Sequence, residues 1–314
     1  MTQTTNPSSP PAAEVPSRGL KRRLRLGERV IEGWIFLAGL LAIVVLLGII
    51  FILLKEGLPV FANTNPWDFL FGTHWYPNAD PSVFGIAPFL VSTLMITLIS
   101  TIIAVPVGVA CAAYLSEVAP PKVAETVKPI IEILAGIPSV MMGFIGLALL
   151  SPFVQSLFHL NTGLCGLTAA IMLSLMSLPI IVSVSEDALH AVPREFKEAS
   201  YALGATKWET IWHVCIPAAL SGIAAAIMLG VGRAIGETMT VLMVAGNALA
   251  VPASPVDPMT TMTAAIANSI GNAVRGGVQY QAIFAIGLIL FILTLGVNII
   301  AERVLERQKR KFSR

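Results

Sequence analysis

PREFKEASYALGATKWETIWHVCIP, residues Pro193 to Pro217, is a polar stretch set between long apolar runs in a chain with only 12% charged residues. Its place is outside a bilayer, and its spacing predicts helix, tight turn, helix. Pro193 suits a first helical position, Arg194 to Leu203 contains no breaker, and Gly204 suits the left-handed residue that closes a helix. Thr206 with Glu209 three residues on forms a capping box that starts a second helix, and Pro217 marks the next bend.

Outward from this insert the chain is apolar. With 314 residues, 55% of them hydrophobic, and a mean hydropathy of +0.80, it exceeds what one water-soluble core absorbs. An all-α membrane protein of six spans is expected. The first run, Trp34 to Leu54, is longer than the roughly 7 to 15 residues of a signal core, and no small-x-small cleavage site follows it closely, so it reads as a retained span. Further runs of spanning length are Ile86 to Leu115, Ile130 to Leu150, Gly166 to Val184, Ala218 to Ala245 and Ala282 to Ile300. Pro106, Pro138 and Pro179 inside them read as tolerable kinks. The organisation is then a disordered basic tail (1–30), a six-helix domain (31–302) carrying the insert (186–217), and a basic C-terminal tail (303–314).

Six spans leave both termini on one side. Counting Lys and Arg gives 17 on the termini, the loop after span two and the insert, against only Lys55 and Arg275 opposite. The positive-inside rule places both termini and the insert in the cytoplasm of a cell bounded by this membrane. The net charge of +2 is therefore topology and not a nucleic-acid signal, and blocks such as KRRLR and RQKRK suit anionic membrane lipid. The outer segments, Lys55 to Gly85 and Gly246 to Gln281, hold Trp67, Trp75 and Tyr76. An interfacial aromatic belt and a cap or docking surface for an external partner account for these equally well. Cys111, Cys165 and Cys215 have no disulfide spacing, and His74, His159, His190 and His213 have no metal-ligand spacing, so no metal is implied. There is no G-x4-G-K-[ST] loop, so ATP would be bound by a partner and not by this chain.

Arg233 and Glu237 stand out in the fifth apolar run, where each charge opposes insertion by about 2.5 to 3.5 kcal/mol. On a continuous helix, Ala226, Gly230, Arg233, Glu237 and Thr240 share one face, with Asn247 near its extension. Arg233 offers a planar fork of N–H donors suited to a tetrahedral oxyanion, and Glu237 is placed to hold the guanidinium when substrate is absent. A self-neutralising i, i+4 ion pair is the rival reading. Gly232 and Gly236 form a GxxxG pair that lets helices approach.

Glu198-Ala199-Ser200, then Gly204, then Val214-Cys215-Ile216-Pro217 resembles the EAA loop of ABC importer permeases, EAA-x3-G-x9-I-x-L-P. The resemblance implies a type I importer permease whose insert docks on a separate ATPase through Glu198, Ala199, Ser200, Gly204, Ala205 and Pro217. Gly232-Arg233-Ala234-Ile235-Gly236-Glu237-Thr238 resembles the GRAxGET segment of phosphate-specific (Pst) permeases. Gly136-Ile137-Pro138-Ser139-Val140 with Gly143, Ala104-Val105-Pro106 and Tyr114-Leu115-Ser116-Glu117 add to the match, and Pro88-Phe89-Leu90 looks more like PstC than PstA. In that family Arg233 and Glu237 would lie on the phosphate pathway, with Thr240 and Asn247 near them. The expected partners are a homologous PstA-like permease, a PstB-like ATPase dimer and an external PstS-like phosphate-binding protein. Another oxyanion (sulfate, molybdate, phosphonate), or a role chiefly as phosphate sensor to a regulatory kinase, remains open at this point.

Overall fold

The structure, a computed structural model, describes residues 20–77, 79 and 82–312. The expected disordered tail lies outside the described residues over 1–19, and from Leu20 the chain is already helical. Among the described residues six helices are long and apolar enough to cross a membrane: Val30–Ala62, Ala87–Val118, Ser139–Phe158, Gly166–His190, Lys207–Gly236 and Val278–Arg303. The last belongs to a helix running from Val278 to Phe312, so the basic C-terminal segment is helical too.

The described residues divide into two compact units, with the boundary between Ile52 and Leu53. The first contains most of the helix Leu20–Gly57, whose apolar residues such as Trp34, Phe36 and Phe51 are exposed, as lipid-facing side chains are. In the second unit the fourth span is central. Ala169, Leu173 and Ile181 on it are buried, and spans two and five pack along its length. Close approach needs small residues: a Cβ on Gly222 would fall 2.3 Å from Ala188 Cβ, and one on Gly230 would fall 2.8 Å from Ile181. Gly232 and Gly236, expected to make such contacts, instead face open space. Two buried hydroxyls on the second span are satisfied within the helix, Ser92 donating to Pro88 O at 2.6 Å and Thr93 to Phe89 O at 2.8 Å, whereas buried Ser100 Oγ has no partner among the described residues.

Prolines shape these helices in two ways. Pro106 and Pro179 sit inside helices, as expected. Pro152 and Pro217 each follow a π-type turn inside a continuing helix, Gly146–Leu150 and Ile211–Cys215, whereas a third such turn, Tyr114–Val118, ends the second span before Pro120. The wider turn accommodates a residue that has no N–H to donate and whose ring crowds the preceding carbonyl. Pro217 therefore does not end the helix. The second helix of the insert continues into the fifth span, giving one helical run, Lys207–Gly236.

Two expected spans are broken. Pro138 is a helix boundary, because the residue before a proline is driven out of the α region: Ile137 is extended at φ −68° and ψ 127°, and separate helices Pro121–Gly136 and Ser139–Ile145 lie on either side. The fifth span likewise stops at Gly236, with Glu237 extended at φ −72° and ψ 131°, before a short helix Met239–Val244.

The outer segments are packed. Strands β1 (Trp75–Tyr76) and β2 (Val83–Phe84) pair antiparallel, and Phe69, Trp75 and Phe84 join Ile86, Phe89, Met262 and Ile286 in one buried cluster. Trp75 is thus a core residue, whereas Trp67 and Tyr76 are exposed. The second outer segment folds back onto the bundle: Asp257 O accepts from Gly166 N–H at 3.1 Å, and Met262, which opens the helix Met262–Ile270, is buried.

Candidate functional site

The two helix breaks meet. Thr240, wholly buried, donates its hydroxyl hydrogen bond to Ser139 O at 2.9 Å and lies 3.3 Å from Met176 Sδ. Met176 is close to the middle of the fourth span, Gly166–His190, so the junction lies at mid-span depth. Interrupted membrane helices leave unpaired backbone groups that must be satisfied by protein or must line a polar path. Here Thr263 Oγ1 donates to Glu237 O at 2.8 Å, and the Glu237 carboxylate accepts from Thr240 N–H at 3.4 Å. Both Ser139 and Met239 begin helices at this point, so two positive helix ends converge on the junction.

Arg233 lies in the last turn of the fifth span, one turn before the break. It is half-buried, its Nε is buried with no hydrogen-bond partner, and it makes no ion pair among the described residues. The expected pairing with Glu237 is absent because Glu237 has left the helical register; its carboxylate instead caps the start of the next helix. A cation at a helix C-terminus is favourable in itself. What that does not satisfy is the buried N–H, and a planar fork with free donors is a fit for a tetrahedral anion.

Of the four pathway residues expected from the sequence, the structure gathers Glu237 and Thr240 at the junction and places Arg233 beside it, but not on a shared helical face. Asn247 belongs elsewhere. It is exposed in the left-handed region at φ +54°, donates to Leu242 O at 2.8 Å, and so closes the helix Met239–Val244. Sequence reasoning missed Ser139 and Thr263. Pro138 was the available signal for the first; nothing local marks Thr263, which reaches Glu237 across the fold.

The insert is built as its caps dictate. Helix Arg194–Ala202 ends at Gly204, φ +86°, with Ala205 N–H returning to Ser200 O at 3.2 Å. Thr206 N–H donates to Glu209 Oε2 at 2.8 Å and Glu209 N–H to Thr206 Oγ1 at 3.3 Å, the reciprocal capping box. Ser200 Oγ lies 2.9 Å from Thr210 Oγ1 and ties the two helices together. Glu198, Ala199 and Gly204 are exposed and Ala205 and Pro217 half-buried. Phe196, Tyr201, Trp208 and above all Leu203, 90% exposed, are the exposed large apolar side chains near them.

Residues 104–311 match the family model described as binding-protein-dependent transport system inner membrane component. The chain is 36% identical over 305 residues to the phosphate transport system permease protein PstC of Mesorhizobium japonicum, covering 91% of this chain and 92% of that one. It is 37% identical over 277 residues to the probable ABC transporter permease protein YqgH of Bacillus subtilis, covering 88% of each. Among solved structures it resembles a chain of a bacterial alginate ABC transporter in complex with an alginate pentasaccharide-bound periplasmic protein, with TM-score 0.61, 16% identity, and 90% and 98% of the two chains covered. It also resembles a chain of the MetNI methionine ABC transporter in an inward facing conformation, with TM-score 0.56, 21% identity, and 69% and 93% covered. The fold is that of ABC importer permeases.

Proposed function

We propose that this chain, which belongs to the family of binding-protein-dependent transport system inner membrane components, is the PstC-like permease subunit of an ATP-driven importer of inorganic phosphate. It is a multi-pass membrane protein and a transport subunit, not itself an enzyme. The observation that carries the substrate reading is Arg233, a cation with a buried, unpaired donor beside the meeting point of two interrupted helices. A phosphate dianion entering the junction would take the free guanidinium donors, and the helix starts at Ser139 and Met239 would add partial positive charge without binding it too tightly to leave.

The charge asymmetry supports cytoplasmic termini and a cytoplasmic insert. On that orientation the exposed side chains of Phe196, Tyr201, Leu203 and Trp208 receive a PstB-like ATPase, a PstA-like permease completes the pathway, and a PstS-like protein delivers phosphate from outside. Co-purification of the tagged chain with its native partners, followed by ATP-dependent uptake in liposomes, tests this. Phosphate uptake resistant to excess sulfate and molybdate is expected; uptake abolished by either anion would reassign the substrate.

A further inference from the structure

The insert's first helix has no buried residue, so its attachment to the bundle rests on few side chains. One is Ser200, which ties it to Thr210. The other is Lys197, whose Nζ lies 2.6 Å from Glu117 Oε1. Lys197 immediately precedes Glu198 of the docking segment. Glu117 lies on the π-type turn that ends the second span, and its carboxylate also accepts from Ser116 Oγ at 3.2 Å. The side chains of this pair are 19% and 9% exposed, both lower than in the Lys55–Glu56 pair at 67% and 32%.

Beneath the pair lies a core shared by four segments: Ala112 and Leu115 of span two, Leu189 of span four, Val192 and Ile211 of the insert, and Ile223 of span five. The fifth span is already one helix with the second half of the insert. Span two has no such covalent continuity. A displacement of the first insert helix therefore reaches span five through the backbone, whereas it reaches span two only through side chains, the apolar packing of this core and the ion pair of Glu117.

We propose that the Lys197–Glu117 ion pair is a positioning contact for energy coupling, which makes the second span follow the coupling helix during the transport cycle. The proposal rests on the reading of the insert as the ATPase docking site. An ion pair suits this task because its strength in a half-dry setting depends on short distance, so the two groups move together or separate at a cost.

The test uses the complete reconstituted complex, with ATPase content, ATP hydrolysis and phosphate uptake measured on each preparation. Lys197→Met and Glu117→Gln should each lower uptake per ATP by about tenfold, with ATPase content within about twofold of wild type. Lys197→Arg should keep coupling, and the exchange Lys197→Glu with Glu117→Lys should recover much of what either single change loses. If Lys197→Met lowers complex yield, Glu117→Asp, which keeps the charge and shortens the reach, should still reduce uptake per ATP. Unchanged uptake per ATP in both neutral variants overturns the proposal. So does loss of ATPase from complexes whose remaining uptake per ATP is normal, since the pair would then only hold the docking surface in shape. The docking reading fails in a separate arm: Leu203→Asp, at an exposed position, should strip the ATPase, and its full retention there would defeat docking at this helix.

Discussion

The insert, Pro193 to Pro217, and the interrupted segment, Gly232 to Asn247, are each a helix followed by a second helix, yet their junctions are held in opposite ways. The insert's turn is closed by its own neighbours: Gly204 takes the left-handed conformation, and Thr206 and Glu209 cap each other within three residues. The break after Gly236 has one local contact, Thr240 N–H to the Glu237 carboxylate at 3.4 Å, and is otherwise held from a distance, by Thr263 on Glu237 O and by Ser139 O on Thr240. A turn that satisfies itself stays rigid when its surroundings move. A break satisfied by other helices changes when they do, which suits a passage and not a lever.

The largest effect expected from this contrast is at Arg233. Hydrogen bonds to charged groups are worth about 1.5–3 kcal/mol, so Arg233→Gln should lower phosphate uptake by roughly 10- to 150-fold. ATPase content of the complex should stay normal, because the insert does not depend on the junction. Uptake near wild type would remove Arg233 from the pathway, and lost assembly would show that the two regions are not independent.

Next comes the hydroxyl that joins the breaks. Thr240→Val removes the second donor to Ser139 O, which keeps its helical bond from Gly143 N–H, so the loss is that of one hydrogen bond, about 0.5–1.5 kcal/mol, to be read as a lower melting temperature of the detergent-solubilised complex and slower uptake. Thr240→Ser keeps the hydroxyl and should behave nearly as wild type. Equal damage from both substitutions would point to the methyl group, and to packing, as what matters there.

The same contrast explains what was legible in the sequence. Cap residues act over three or four positions, so Gly204, Thr206 and Glu209 were readable in place, and the helix Arg194–Ala202 ends one residue short of expectation. The number of spans was readable too, from apolar length alone. The break at Gly236 was not: Gly236 weakens a continuous helix without forbidding it, and besides the local contact of the Glu237 carboxylate with Thr240 N–H the break is supported by Thr263, 26 residues on, and Ser139, about a hundred residues back. Pro138 is the intermediate case. Its local rule disfavours a helical Ile137, but prolines inside membrane helices are also tolerated as kinks, as Pro106 and Pro179 are.

A comparable effect tests the rigid turn itself. At φ +86° Gly204 has open space where a side chain would go, so strain and not collision decides the outcome. Gly204→Val should cost about 1–2 kcal/mol, which is about a 5- to 30-fold loss of bound ATPase if docking needs the turn. Gly204→Asn, tolerated in the left-handed region, should lose far less. Equal loss from both would mean that the glycine is required for contact with the partner and not for its backbone.

The smallest effect is expected at Ser200, and it bears most directly on whether the insert is self-contained. Ser200 stands where the EAA pattern has alanine, and its hydroxyl meets Thr210 Oγ1 at 2.9 Å. Thr210 also donates to Thr206 O at 3.1 Å. Removing the serine hydroxyl therefore leaves no buried donor stranded, so the loss is that of one ordinary hydrogen bond, about 0.5–1.5 kcal/mol. Alanine is also the better helix former, which returns a few tenths of that amount, roughly within the 0.7 kcal/mol spread of ordinary residues. Ser200→Ala should thus keep ATPase content and uptake within about threefold of wild type, a net change below about 1 kcal/mol. Thr210→Val, which removes both contacts at a site 1% exposed, should weaken binding more. If instead Ser200→Ala released the ATPase as fully as Gly204→Val, the insert would owe its shape to a contact between its helices, as the interrupted segment does, and not to its caps.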